Sequence, residues 1–207
     1  MGAQLALPLV WPAGPSDDEF LVTPSNEAAV RLLADTAAWP VRAALLVGPR
    51  KSGRSLLARI FAARTGGQVI DDAEPLPEAD LFHAWNRAQG DGKPLLIVAD
   101  APPPVWSVRL PDLRSRLGAG PLAVIGAPDD ALVRALLQRH FLRRGLDARP
   151  DLIDWLAGRI ERTHLTVLRV VDALEEESGG RRRRLTIPMA RETLAATSMI
   201  VPEPRLL

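Results

Sequence analysis

The 207-residue chain contains no cysteine, which excludes a disulfide framework, a thiolate metal site and a cysteine nucleophile. Histidine is scarce as well. The three that occur, His83, His140 and His164, each stand alone on a helical pattern without ligand spacing and read as core or surface fillers. An excess of one charge is also missing: the formal net charge is +1, so any contact with nucleic acid has to come from a local patch. No apolar run reaches the ~18 residues that a membrane span requires, and the leucines at the amino terminus lack the basic start of a signal peptide. These absences lead to the expectation of a cytoplasmic protein with no membrane partner. No internal repeat is visible.

What is present is a composition of 47% hydrophobic and 25% charged residues, enough for a real core in one domain or in a domain with a smaller lobe. The opening MGAQLALPLVWPAGPSDDEF is apolar, then rich in Pro, Gly and Asp, and reads as an extended tail and linker over residues 1–18. From Ser25, taken as an N-cap, a helical pattern runs through NEAAVRLLADTAAW until Pro40 stops it. The strand AALLV, the loop GPRKSGRS and the helix SLLARIFAAR follow, closed by Gly66 and Gly67. A short strand QVI leads to Asp71 and Asp72, PEADLFHAWNRAQ is helical, and the strand PLLIVA ends at Asp100. Strands alternating with helices predict a parallel sheet, hence an α/β base over residues 19–127. After LPDLRSRL and the strand PLAVIGA the pattern turns purely helical: DDALVRALLQRHFLRR, DLIDWLAGRIER, LTVLRVVDALEEE and PMARETLAA. That change predicts a small all-α lid over 128–207.

GPRKSGRS has the spacing of a phosphate-binding loop, with Arg54 in the place of the usual lysine and Lys51 three residues early. Gly48 and Gly53 allow the backbone N–H groups to face phosphate at the start of a helix, and Ser55 offers a hydroxyl to Mg2+. Arginine keeps the positive charge, but its planar fork cannot act as a compact point charge between two phosphates. Binding of ADP or ATP is therefore expected to survive better than hydrolysis. The acidic partner motif has two placements. With PLLIVAD as the magnesium strand, Asp100 has no second carboxylate beside it. With QVIDD in that role, Asp71 faces Mg2+, Asp72 supplies the second acid, and Asp100 becomes the γ-phosphate sensor on the neighbouring strand.

The order of DEFLVTPSNEAAV, GPRKSGRS, LPDLRSRL and RRLTIP resembles the DnaA-related regulators known as Hda, which share the AAA+ core of the initiator DnaA. The resemblance runs from the amino-terminal motif to about Leu194 and selects the second placement of the acids. It implies an adenine-side box at Phe20, Val22 and Asn26, a phosphate loop at Gly48, Gly53, Arg54 and Ser55, a magnesium motif at Asp71 and Asp72, and a sensor at Asp100. It also implies that Arg116 is an arginine finger offered in trans to a neighbour's ATP. The lid arginine of AAA+ proteins falls near Leu165, which leaves Arg162 or Arg169, each about one helical turn away, as substitutes.

The tail carries Gln4, Leu5, Leu7 and Leu9, exposed leucines on a segment too short and too proline-rich to fold, suited to docking as an extended peptide. By the same resemblance this is a peptide for the DNA polymerase III beta sliding clamp. The implied partners are thus DnaA, the clamp and, through the clamp, DNA; self-association is left open. The run Arg181 to Arg184 reads as a solvated loop, with a phosphate contact as the lesser option. The alternative function is a stand-alone P-loop ATPase or small-molecule kinase using Asp72. An origin-recognising initiator is disfavoured on the expectation that no helix-turn-helix follows the lid before Leu207.

Overall fold

A computed structural model describes residues 20–179, 184–197, 199 and 200. The expected clamp peptide and most of the basic run therefore lie outside the described residues. Within them the chain forms α1 (Glu27–Ala34), β1 (Ala43–Val47), α2 (Arg54–Thr65), β2 (Gln68–Ile70), α3 (Glu78–Asp91), β3 (Leu95–Ala99), α4 (Pro111–Ala119) and β4 (Leu122–Val124). Four more helices follow: α5 (Asp130–Arg143), α6 (Pro150–Ala157), α7 (His164–Ser178) and α8 (Ile187–Ala196).

The strands form one parallel sheet in the order β2-β3-β1-β4. Every residue of β1 and β3 is buried, because helices cover both faces and the strands have no polar side to show. One face carries Leu45, Leu95 and Ile97 against Trp85 of α3 and Leu113 of α4. The other carries Leu46, Leu96 and Val98 against α1 and α2, where Trp39 stacks on Phe61 with ring centroids 5.8 Å apart. The lid has its own core, in which Leu137, Phe141, Leu152, Val167 and Leu174 are almost wholly buried.

Two local departures from the sequence pattern have simple causes. The first helix ends at Ala34, and Asp35 accepts from the Ala38 N–H at 3.3 Å, starting a separate 3-10 turn over Thr36–Ala38. Its N-cap position is Asn26 rather than Ser25. Ser25 instead donates its N–H to Asp129 Oδ2 at 3.1 Å, while Asp129 Oδ1 caps α5 at the Leu132 N–H, 2.8 Å away. The helix expected through Arg162 stops at Ala157, before Gly158, where the loss of Cβ makes continuation unfavourable. No helix among the described residues is long and apolar enough to cross a membrane.

Candidate functional site

The sheet order sets where the acids stand relative to the loop. β3 lies between β1 and β2, so Asp71 and Asp72 after β2 and Asp100 after β3 stand at the same edge as the loop after β1. Gly48 opens that loop where a Cβ would meet the Ile125 carbonyl at 2.7 Å; only glycine allows so close a passage. Gly53 closes it at φ 90°, with Lys51 also left-handed at φ 67° and Asp72 at φ 52°. Side chains seldom adopt such backbone outside turns and working loops.

Two clefts at this loop are lined by the expected phosphate-loop residues. The first is open, about 480 Å³, and is lined by Arg50, Lys51, Gly53, Arg54, Ser55, Asp71 and Asp72. The structure thus brings together the expected phosphate-loop and magnesium-motif residues. Asp71 Oδ1 accepts the Asp72 N–H at 3.0 Å. A carboxylate and a hydroxyl are hard oxygen donors of the kind Mg2+ takes when phosphates and waters complete its shell, so Asp71 and Ser55 fit that ion.

Arg54 does not project into this cleft as a free cation. Its guanidinium turns back to the sheet, donates to the Ala99 carbonyl and meets Asp100 Oδ1 at 2.5 Å, with only 12% of the side chain exposed. Arg50 takes the other oxygen of Asp100 at 3.2 Å and approaches Asp72 at 4.0 Å. The Arg54 hydrogen bond, helped by Arg50, holds the Asp100 carboxyl below the usual carboxylate range because it favours the ionised form. The Asp100 N–H is taken by Glu74 Oε1. Sequence reasoning missed Arg50 and Glu74, neither of which carries a motif position.

The second cleft, about 160 Å³, lies between the loop and the lid. Phe20, Leu21, Leu56, Leu132 and Leu136 give it apolar walls, and Lys51, Ser52 and Gly53 form the loop side. Phe20 lies against the loop, its ring edge 3.1 Å from where a Cβ on Gly53 would be. Of the other adenine-side residues, Val22 packs into the α1 and α2 cluster. Asn26 lines the cleft, but its amide is spent on the chain: Nδ2 donates to the Leu21 carbonyl at 2.8 Å and Oδ1 accepts from the Thr23 N–H at 2.9 Å.

From the lid come Arg139, His140, Arg143 and His164. Neither Arg162 nor Arg169 is among the lining residues; Arg162 pairs with Asp130 at 2.8 Å. Burial pushes the His164 imidazole below its ordinary pKa, and burial followed by the Arg144 and Arg139 charges does the same to His140. The one signal for His164 was its place beside Leu165, where the lid arginine of the resembled family would stand.

Arg116 lies apart, on α4. Its guanidinium sits 4.4 Å above the Phe82 ring and donates to Asn86 Oδ1, both on α3. A ring face and an acceptor hold the cation in one place at the protein's side. No group of three metal-ligating side chains occurs among the described residues.

Comparison with known proteins adds identity to this geometry. Residues 129–194 match the family model described as Hda, lid domain. Residues 129–194 thus form a lid of the Hda type, and the chain as a whole has the fold of DnaA domain III. Domain III of the Thermotoga maritima replication initiation protein DnaA superposes with a TM-score of 0.70 at 17% identity, covering 88% of this chain and 95% of that one. AMPPCP-bound DnaA from Aquifex aeolicus gives 0.58 at 16% identity, over 76% of this chain and 62% of that one. The Thermotoga maritima RuvB Holliday junction branch migration motor gives 0.60 at 15%, over 83% and 68%. An uncharacterized protein of Haemophilus influenzae is 33% identical over 118 residues, 56% of this chain and 51% of its own length. The chain therefore spans about half the length of that curated relative.

Proposed function

We propose that this Hda-type protein regulates the initiation of chromosomal replication negatively, by presenting Arg116 in trans to ATP bound on DnaA while its tail peptide tethers it to the DNA polymerase III beta sliding clamp. The observation that carries this reading is the joining of an Hda lid, residues 129–194, to a base with the fold of DnaA domain III. Two AAA+ modules of one fold can stack so that an arginine of one reaches the nucleotide of the other, and such an arginine accelerates phosphoryl transfer by ~10³–10⁵. The seat of Arg116 on Phe82 and Asn86 supports the assignment, since a cation fixed in advance costs no reorganisation when charge develops. Contact with DNA is indirect, through the clamp, and the protein works in the cytoplasm at the replisome.

The chain's own loop holds ADP or ATP, with Asp71 and Ser55 on Mg2+, which would neutralise phosphate charge there. Its role is to hold rather than to turn over. Arg54 is committed to Ala99 and Asp100, which leaves the loop without the point charge that a stand-alone ATPase or kinase places between phosphates.

The test is hydrolysis of DnaA-bound ATP in the presence of clamp loaded on DNA. Arg116→Ala is expected to lose ~10³-fold or more of the stimulation, and a Gln4→Ala/Leu7→Ala double variant to lose its dependence on the clamp. Stimulation by both variants equal to that of the unaltered chain would refute the reading.

A further inference from the structure

Two residues that line the cleft between loop and lid each carry a buried polar atom that the protein leaves without a partner. The atoms are His164 Nδ1, on a residue 5% exposed, and Ser52 Oγ, on a residue 6% exposed. Both residues line the same 160 Å³ space. Polar atoms so deeply placed nearly always have a partner, and leaving one unsatisfied costs free energy. A partner from outside the chain removes that cost. The space is smaller than the roughly 300 Å³ at which whole drug-sized ligands are enclosed, so it suits a part of a ligand. The open cleft on the other side of Lys51 and Gly53 offers room for the charged remainder. Phe20, Leu132 and Leu136 supply apolar walls for a flat ring.

We propose that His164 is the residue that reads the nucleobase, its Nδ1 accepting a hydrogen bond from the 6-amino group of adenine while Ser52 closes the loop side of the ring pocket. This deepens the nucleotide-holder reading of the loop and rests on it. A neutral imidazole protonated on Nε2 presents Nδ1 as an acceptor, and the burial that disfavours the imidazolium keeps it neutral. A 6-oxo purine sets a carbonyl against that acceptor. The base is then recognised by the lid, at the position next to Leu165, and the preference for adenine becomes a report on whether the lid is closed over the loop. Asn26, whose Nδ2 and Oδ1 are anchored to the Leu21 carbonyl and the Thr23 N–H, shapes the pocket wall.

Calorimetric titration of the full chain with ADP, inosine diphosphate and inorganic tripolyphosphate separates the possibilities. The unaltered chain is expected to bind ADP about tenfold more tightly than inosine diphosphate, the size of one unsatisfied polar contact. His164→Phe should bring ADP down to the inosine diphosphate level, His164→Asn, which keeps an acceptor, should retain most of the preference, and tripolyphosphate should bind all three proteins alike. If His164→Phe fails to fold, as judged by thermal melting, the smaller His164→Leu carries the same expectation. Equal affinity of the unaltered chain for the two nucleotides, or a preference that persists in His164→Phe or His164→Leu, overturns the proposal while leaving the phosphate loop intact. Failure of tripolyphosphate and both nucleotides to bind would overturn the holder reading, and this inference with it.

Discussion

The two sides of the loop from Gly48 to Gly53 solve opposite problems. Facing the sheet ends, charge is abundant and already answered: Asp100 holds both Arg54 and Arg50, and Arg50 leans towards Asp72. Facing the lid, Phe20, Leu132 and Leu136 form apolar walls beside Arg139 and Arg143, and His164 Nδ1 and Ser52 Oγ wait without protein partners. A ligand entering the first side competes with existing ion pairs, whereas on the second it supplies what is missing. Phosphate affinity should therefore be modest for a loop of this type, and selectivity should come from the other end of the ligand.

The harshest way to break this contrast is to lift the loop that divides the two sides. In Gly48→Ala the new Cβ would lie 2.7 Å from the Ile125 carbonyl and 2.9 Å from its Cβ, a backbone contact that cannot swing aside. A loss of about 1–3 kcal/mol of stability is expected, read from urea denaturation, together with loss of ADP binding. A midpoint equal to the unaltered protein's would show that the loop has slack the geometry does not suggest.

Next in size is the division of labour between the two cations of the loop. Arg54→Ala removes a nearly buried guanidinium from Ala99 and Asp100 and is expected to cost about 1–2 kcal/mol, with tripolyphosphate affinity changed less than twofold. Lys51→Ala, at an exposed position lining both clefts, should leave the urea midpoint alone and weaken tripolyphosphate about fivefold, the scale of a surface charge pair. The reverse pattern would mean that Arg54 leaves Asp100 to serve the phosphate.

The smallest effect, and the sharpest separator, is pH. His140 and His164 have folded pKa values below the ordinary 6.5, so between those values and 6.5 the unfolded chain binds more protons and stability falls as pH falls. Asp100 also titrates below its ordinary 3.8; the stability it contributes is present above that value and is lost only as pH drops through the folded pKa. Acid weakening between neutrality and about pH 5 thus belongs to the lid side, since Glu78, held below its ordinary 4.5 by the Arg109 and Leu110 N–H groups, loses its contribution only at lower pH. The urea midpoint measured from pH 7.5 to about 5 should decline, and a His140→Gln/His164→Asn double variant should flatten the decline. An unchanged slope in that variant would move the titrating groups elsewhere.

Much of this architecture is written in local pattern. AALLV and PLLIVA are continuous apolar runs of strand length, and each is followed by a loop or an acid at the sheet edge. Glycines at 66, 92, 145 and 179 close helices or turns with positive φ, as their positions imply. The two placements of the acids could not be separated by spacing alone, because both put an acid after a strand; only strand order distinguishes a neighbour of β1 from the strand beyond it. What stayed hidden depends on reach across the fold. Arg54 looked like a phosphate ligand because nothing local tells that its long side chain ends at the carbonyl of Ala99, 45 positions on. The lid-side cleft gathers Phe20, Ser52, Leu132 and His164 from four separate parts of the chain, and of these only Phe20 was marked in advance, by the resemblance. Asn26 was legible as a special residue, though its special task is to pin the turn that follows Phe20.

One carboxylate links these parts in a way that bears on movement. Asp129 caps the first turn of α5 with one oxygen and holds the Ser25 N–H with the other, so the lid and the strap carrying Phe20 share a hinge pin. Whatever tilts the first turn of α5 also shifts the anchor of that strap, and the two walls of the cleft cannot be displaced as independent parts.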